Sequence, residues 1–208
     1  MARSVEVLRH HPENKEREAH GEDPANMIGL FWGSGRIPEP PSFKEIYGID
    51  AAMTSGVSLL KGLAKMVRME NLDIPGVTDG LDNDYAAQAA GALKALQRCD
   101  AVFIHVEAPD EAAHSGHIKE KVEAIERVDR EMLARLLSEG EDNLRMLVMP
   151  DHATPIEVRT HTSDPVPFVL WGPGFQATGA KVFSEAEARR SSIFIAEGYT
   201  LMRKLTEG

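Results

Sequence analysis

Cysteine is nearly absent from this sequence, since Cys99 is the only one among 208 residues. A disulfide within the chain is therefore excluded, and Cys99, which has no neighbouring His or Asn, is interpreted as structural. Long apolar runs are also missing. No stretch reaches the roughly 18 residues that a membrane helix needs, and the first residues lack the apolar centre of a secretory signal. These absences predict a cytoplasmic protein without a membrane partner.

Positive charge is scarce as well. The chain has 23 Lys and Arg against 33 Asp and Glu, which gives a net charge of -10. Such an acidic protein does not suit a nucleic-acid partner. No Gly-rich GxxxxGK loop is present, which argues against a kinase. Nothing resembles a thiamine-dependent site, which argues against a decarboxylase. An apolar fraction of 42% is nonetheless enough for a hydrophobic core.

Short apolar segments alternate with amphipathic ones along most of the chain. The pattern predicts strands at 27–32, 101–106, 145–149 and 166–171, and helices at 51–67, 84–97, 119–137 and 185–205. Residues 1–26 are predicted to form a short helix followed by a loop, and 71–84 a strand and turn. Alternating strands and helices are typical of an α/β three-layer sandwich, in which helices flank a largely parallel sheet.

Five potential metal ligands follow the predicted strands. Asp110 and His114 lie in APDEAAHSGH, Asp151 and His152 in MPDHATP, and His161 in RTHTSDPVPF. If the turn after the strand is helical, the spacing of four puts Asp110 and His114 on one face. Active sites of α/β sheets collect outside the carboxyl ends of the strands. Carboxylate and imidazole donors at this edge predict a divalent metal site.

A structural interpretation exists for each residue taken alone. Asp and His are common in turns, and either Asp could cap a helix. Five such residues, all near strand ends, favour the metal site. His10, His11 and His20 lie in a charged segment and are interpreted as surface residues. His105, within an apolar strand, is interpreted as a buried, hydrogen-bonded residue with a second role open, that of supporting a metal ligand.

Two arginines are candidates for binding a phosphorylated substrate. Arg159 precedes His161 by two residues, so that it lies near the predicted metal cluster. Arg36 follows a short Gly-Ser-Gly turn whose backbone N–H groups could meet a phosphate. A surface salt bridge remains the alternative for Arg159.

Several motifs together resemble a known family. HVEAPDEAAHSGH, IKEKVEAIERVD, MPDHATP and RTHTSDPVPF look like the carboxyl half of the archaeal-type cofactor-independent phosphoglycerate mutases, of the alkaline phosphatase superfamily. Family members also carry the label phosphonopyruvate decarboxylase. HHPENKEREAHGEDPAN, WGSGRIPEPPSF and IPGVTDGLDNDY are similar to the family too. The resemblance implies that 76–208 is a metal-binding phosphatase-like core and 1–75 a remnant of the intervening substrate-binding domain plus a connection.

The resemblance also implies a mechanism. Two divalent ions, manganese, zinc or magnesium, flank a serine that becomes phosphorylated during interconversion of 3- and 2-phosphoglycerate, a step of glycolysis. By similarity Asp110, His114 and His161 hold one ion. Asp151 and His152 hold the other, together with an Asp and the nucleophilic Ser of the family's amino-terminal part.

Those amino-terminal motifs have no counterpart in this sequence. None of five serines that we considered stands in the expected nucleophile context: Ser34, Ser42, Ser55, Ser115 and Ser163. The expectation is a fold whose amino-terminal part is missing, as a truncated product, a split subunit or a fragment, and which is incomplete as a catalyst alone.

Three hypotheses for function stay open at this point. The first is a mutase-like metalloprotein that needs an amino-terminal polypeptide. The second is a metal-dependent phosphatase that uses a metal-bound hydroxide in place of serine. The third is a non-catalytic module that associates with itself through surface left uncovered by missing strands. The expected ligands are a small phosphorylated substrate and divalent metal, with a homo-oligomer as a further option.

Overall fold

The computed structural model describes residues 1–30 and 35–207. The chain divides into two compact units, residues 1–39 and 40–208. The domain boundary near residue 75 that the resemblance implies stays a prediction. Among the described residues, no helix is both long and apolar enough to cross a membrane.

The first unit contains two short helices, α1 (Ala2–Arg9) and α2 (Pro12–Ala19), in place of the single predicted helix. They are held to the following loop by Asn14, which is buried and bonds through its amide to the carbonyl oxygens of Leu8 and Ala25 and to the Ala25 N–H, at 2.7–2.8 Å. The strand predicted at 27–32 is wrong for 27–30, which have no regular structure, and its last two residues lie outside the described part.

The second unit is built on two small sheets. β1 (Ala51–Thr54) lies between β2 (Glu70–Asn71) and β3 (Ala101–Ile104), and both pairings are parallel. β4 (Met146–Val148) pairs antiparallel with β5 (Val169–Trp171). The predicted α/β fold with a parallel sheet flanked by helices is therefore confirmed, with an antiparallel pair beside it.

Helices connect and cover these strands. Their bounds are α3 (Phe43–Tyr47), α4 (Ser58–Met66), α5 (Tyr85–Leu96), α6 (Ala108–Ser115), α7 (Ile118–Arg127), α8 (Ala134–Glu139), α9 (Glu185–Arg190) and α10 (Leu201–Glu207). A π-helical turn over Val128–Leu133 joins α7 to α8, so the predicted helix 119–137 is confirmed as one helical run. The core centres on Tyr85, Ala89, Met132 and Leu136, packed against side chains of β3 and β4.

Two of the predicted helices are wrong in part. The helix predicted at 51–67 begins only at Ser58, because Ala51–Thr54 form the central parallel strand and pair on both sides. Strand pairing here overrides the apolar spacing that favoured a helix. The helix predicted at 185–205 ends at Arg190. The backbone of Ser191 is extended, and its hydroxyl accepts the Ile193 N–H at 3.0 Å. Serine thus offers the backbone an alternative to the helix.

Candidate metal centre

The turn after β3 presents the first two predicted ligands. Helix α6 begins after Glu107 with Pro109 in its first turn and ends at Gly116, whose φ of +75° is a left-handed conformation that glycine adopts without strain. Asp110 and His114 lie one helical turn apart. The Asp110 Oδ2 and His114 Nε2 atoms are 3.1 Å apart, so the helix presents both side chains to one point.

A loop between β4 and β5 brings the other imidazoles to the same point. An isolated antiparallel bridge between Ala153 and Thr162 closes this loop at its base. His161 Nε2 lies 3.1 Å from His114 Nε2 and 3.5 Å from Asp110 Oδ1. The His152 ring stacks on His161 with 3.7 Å between ring centroids. Residues from two distant segments therefore form one cluster.

The hydrogen bonds of His114 indicate which ring nitrogen is free to bind metal. His114 Nδ1 lies 2.9 Å from the carbonyl oxygen of Arg159, which can only accept. The ring proton is therefore assigned to Nδ1, and the Nε2 lone pair points at the Asp110 carboxylate. With the ring proton on Nδ1, this pair of acceptors can share a cation. A carbonyl that fixes the tautomer in this way is the usual support of a metal-ligating histidine.

The same logic applies to His152. The buried Thr154 hydroxyl donates to Asp110 Oδ1, and His152 Nδ1 lies 3.1 Å from that hydroxyl oxygen. With its hydrogen used on Asp110, the hydroxyl accepts from His152 Nδ1–H. The Nε2 lone pair of His152 then faces Asp151 Oδ2 at 3.5 Å. Thr154 was not singled out from the sequence, although its place two residues after His152 in MPDHATP was a usable signal.

The donor atoms form two overlapping groups. Asp110, His152 and His161 each offer an atom within 4.8 Å of the others, and Asp110 and His161 also meet His114. Asp151 contacts only His152 among these residues, and its side chain is 73% exposed. The carboxylate and imidazole donors fit a divalent transition metal. The shared donors indicate one candidate position, and a second ion at Asp151 and His152 stays a prediction.

The two candidate arginines are placed differently. Arg159 belongs to the loop of the cluster and has a positive φ of 57°. Its guanidinium packs against Gly116, so closely that a Cβ atom added at Gly116 would lie 2.7–2.8 Å from it. Its carbonyl, rather than its side chain, contacts His114. Arg36 belongs to the first unit, exposed, with Glu39 at 3.9 Å. Substrate binding by either arginine stays a prediction.

Beside the cluster lies His105, half-buried at the end of β3. Its Nδ1 is 3.0 Å from Ser55 Oγ, and its Nε2 is 3.3 Å from Glu107 Oε2. Burial lowers the pKa of His105, which the charges of Asp151 and Asp110 oppose. Burial also raises the pKa of Glu107, and the charges of Asp110 and Glu111 raise it further. The sequence interpretation of His105 as a buried, hydrogen-bonded residue agrees with this placement.

A pH dependence of stability follows from His105. Because its pKa is lowered in the folded protein, the unfolded chain binds the proton first as the pH falls below the ordinary value of 6.5. The free energy of unfolding is therefore expected to decrease as the pH is lowered through this value. In chelator-containing buffer, urea unfolding of the His105→Gln variant between about pH 7.5 and pH 5.5 should show a shallower decrease than the wild type. Parallel curves would contradict this.

The fold and the cluster together define the class: an α/β protein with a candidate divalent-metal centre after its strands. Comparison with known proteins agrees, because the family model described as "Metalloenzyme superfamily" matches residues 8–202. The chain belongs to the Metalloenzyme superfamily, an alkaline phosphatase-like group.

Individual relatives narrow the resemblance. The chain is 43% identical over 211 residues to the 2,3-bisphosphoglycerate-independent phosphoglycerate mutase of Methanothrix thermoacetophila, covering 100% of this chain and 54% of the relative. It is 46% identical over 203 residues to mutase 2 of Methanothermobacter thermautotrophicus, covering 97% and 50%. The family recognised from the motifs is therefore confirmed, and the chain spans about half the length of these curated relatives.

Solved structures are similar over the same extent. The PH0037 protein of Pyrococcus horikoshii matches 81% of this chain and 51% of its own, with a TM-score of 0.77 and 31% identity. The cofactor-independent phosphoglycerate mutase of Thermoplasma acidophilum matches 99% and 49%, with a TM-score of 0.66 and 29% identity. Both support the alkaline phosphatase-like fold.

Proposed function

We propose that this chain is the metal-binding half of a 2,3-bisphosphoglycerate-independent phosphoglycerate mutase. The observation that carries the proposal is the convergence of Asp110, His114 and His161, with the His114 Nε2 lone pair directed at the Asp110 carboxylate. The relatives named as mutases support the substrate class, a small phosphorylated acid. The reaction would interconvert 3- and 2-phosphoglycerate through a phosphoserine.

In this proposal each ligand has a separate task. Asp110, His114 and His161 hold one divalent ion, and Asp151 and His152 contribute to a second. Manganese or zinc suits the mixed imidazole and carboxylate donors, and magnesium is a further candidate. When bound, such ions neutralise phosphate charge and lower the pKa of a nucleophile. Arg159, on the same loop, would bind the substrate's anionic groups.

The nucleophile and the remaining ligands of the second ion would come from the part of the relatives that this chain does not match. Asp151 and His152 supply only two donors, fewer than the three protein ligands usual in catalytic metal sites. A partner polypeptide, or a further part of the same protein, would complete that position.

The mutase proposal predicts complementation. The purified chain should bind Mn²⁺ yet convert no 3-phosphoglycerate. Formation of 2-phosphoglycerate is measured by adding enolase and following the absorbance of the enolase product. Adding the part of the Methanothrix relative that this chain does not match should restore turnover. The chain with its own Asp110→Asn substitution is the control and should restore none. Robust conversion by the chain alone would overturn the claim that it is incomplete.

Two other functions are distinguished by related measurements. The cluster is open to solvent, His161 being 51% exposed, so a metal-dependent phosphatase would hydrolyse p-nitrophenyl phosphate with saturating Mn²⁺ or Zn²⁺. A self-associating module is favoured by an exposed apolar face on α7, formed by Ile118, Val122 and Ile125. A monodisperse monomer in sedimentation velocity would count against it.

A further inference from the structure

A row of three side chains in polar contact runs from the interior to the metal cluster. Ser55, 1% exposed, follows β1; His105 follows β3; Glu107 precedes α6. The Ser55 hydroxyl also accepts the Val57 N–H at 3.0 Å. The three side chains therefore connect two neighbouring parallel strands to the helix that carries Asp110 and His114.

The donors in this row have one consistent direction. Ser55 Oγ accepts from Val57 and can give its own hydrogen to His105 Nδ1, 3.0 Å away. The single ring proton of a neutral His105 is then on Nε2, which faces the Glu107 carboxylate oxygen at 3.3 Å. Burial, which disfavours the imidazolium, supports the neutral ring. A hydroxyl that donates in this way favours the tautomer in which the His105 ring proton faces Glu107.

Glu107 needs such a donor because its other neighbours are acidic. One of its oxygens lies within 4.8 Å of an oxygen of Asp110 and an oxygen of Glu111, and like charges at this distance repel. Among the described contacts of its side chain, His105 Nε2 is the one nitrogen atom. Without it, the carboxylate would be free to turn toward the metal ligands or toward solvent.

The backbone of Glu107 connects this row directly to the ligands. Glu107 is the N-cap of α6, and its carbonyl oxygen accepts from Asp110 N at 2.8 Å and Glu111 N at 3.2 Å. The His105 carbonyl is held in turn by the amide of the fully buried Gln88, at 3.0 Å. A shift of Glu107 would therefore rotate the first turn of α6 and move Asp110.

We propose that Ser55 and His105 are positioning residues for the metal centre, which act by fixing Glu107 at the start of α6. This inference rests on the proposed metal site at Asp110, His114 and His161. Ser55 is buried and His105 is partly buried, and neither belongs to that ligand set. The row sets where the ligands stand before an ion binds.

The test compares two amide replacements of His105, one that keeps the contact with Glu107 and one that keeps the contact with Ser55. Glutamine places an amide near the Nε2 position and can still donate to Glu107. Asparagine places its amide near Nδ1, so it keeps Ser55 and loses Glu107. Partners of ligating residues change metal affinity by about 10–100-fold. Mn²⁺ titration should therefore show His105→Asn weakened within that range and His105→Gln within about threefold of wild type.

A second comparison separates positioning from a general loss of stability. Ser55→Ala removes the hydroxyl from the row, and about tenfold weaker Mn²⁺ binding is expected. Ser42→Ala is the matched control, because Ser42 is also a buried serine whose hydroxyl bonds a glutamate, Glu45, at the start of α3. It should lower the melting temperature of the metal-free protein and leave the Mn²⁺ affinity unchanged.

The outcomes separate the two proposals. Equal Mn²⁺ affinity for Ser55→Ala and wild type, or equal losses for His105→Asn and His105→Gln, would overturn the positioning role while the metal site stands. A wild-type chain that binds no Mn²⁺ would overturn the metal site, and the positioning role with it. Melting temperatures in chelator identify any variant that has lost its fold.

Discussion

Asp110→Asn is expected to weaken Mn²⁺ binding by at least about 100-fold, since losing a ligand costs more than losing a ligand's partner. The Asp110 carboxylate meets both His114 and His161 and accepts the Thr154 hydroxyl. An amide of equal size keeps one acceptor oxygen but removes the negative charge that draws the cation. Isothermal titration with Mn²⁺ and with Zn²⁺ measures the loss.

The control for this substitution is Asp142→Asn, which removes the same charge from an exposed residue between α8 and β4. It should bind Mn²⁺ as the wild type does. If both variants bind alike, the ion is held elsewhere and the cluster described above is not the metal centre.

The second large effect concerns stability. Gln88 is fully buried on α5, and its amide donates to the His105 carbonyl and to Thr54 while its oxygen accepts from the Asn83 amide. Gln88→Leu leaves these buried groups without partners, at about 1–3 kcal/mol for each unsatisfied group. A destabilisation of about 3–5 kcal/mol is expected, or roughly 6–20 °C in melting temperature for a chain of this size.

Differential scanning calorimetry of the metal-free protein measures this change. Gln97→Met, at the exposed end of the same helix, is the control and should stay within about 0.5 kcal/mol of wild type. A Gln88→Leu variant as stable as the control would mean that the buried amide contributes no net stability.

The local motifs predicted which candidate ligands lie close together, because short spacings after apolar strands bring side chains to one edge of an α/β sheet. The spacing of Asp110 and His114 needs only one helical turn. What the sequence did not indicate depends on packing across distant segments. Thr54 and Ser55 look like part of an amphipathic helix until β3 pairs with their strand. Gln88 likewise looks like an ordinary helical residue, since its partners come from other segments.

The way in which the cluster draws on two distant segments has a consequence for the whole chain. His114 and His161 are 47 residues apart in sequence, so an ion held between them would act as a reversible cross-link between α6 and the loop closed by Ala153 and Thr162. Cross-links of this kind restrict the unfolded chain, and a ligand that binds only the folded state raises its stability with concentration. The supply of metal would then govern how stable the folded protein is.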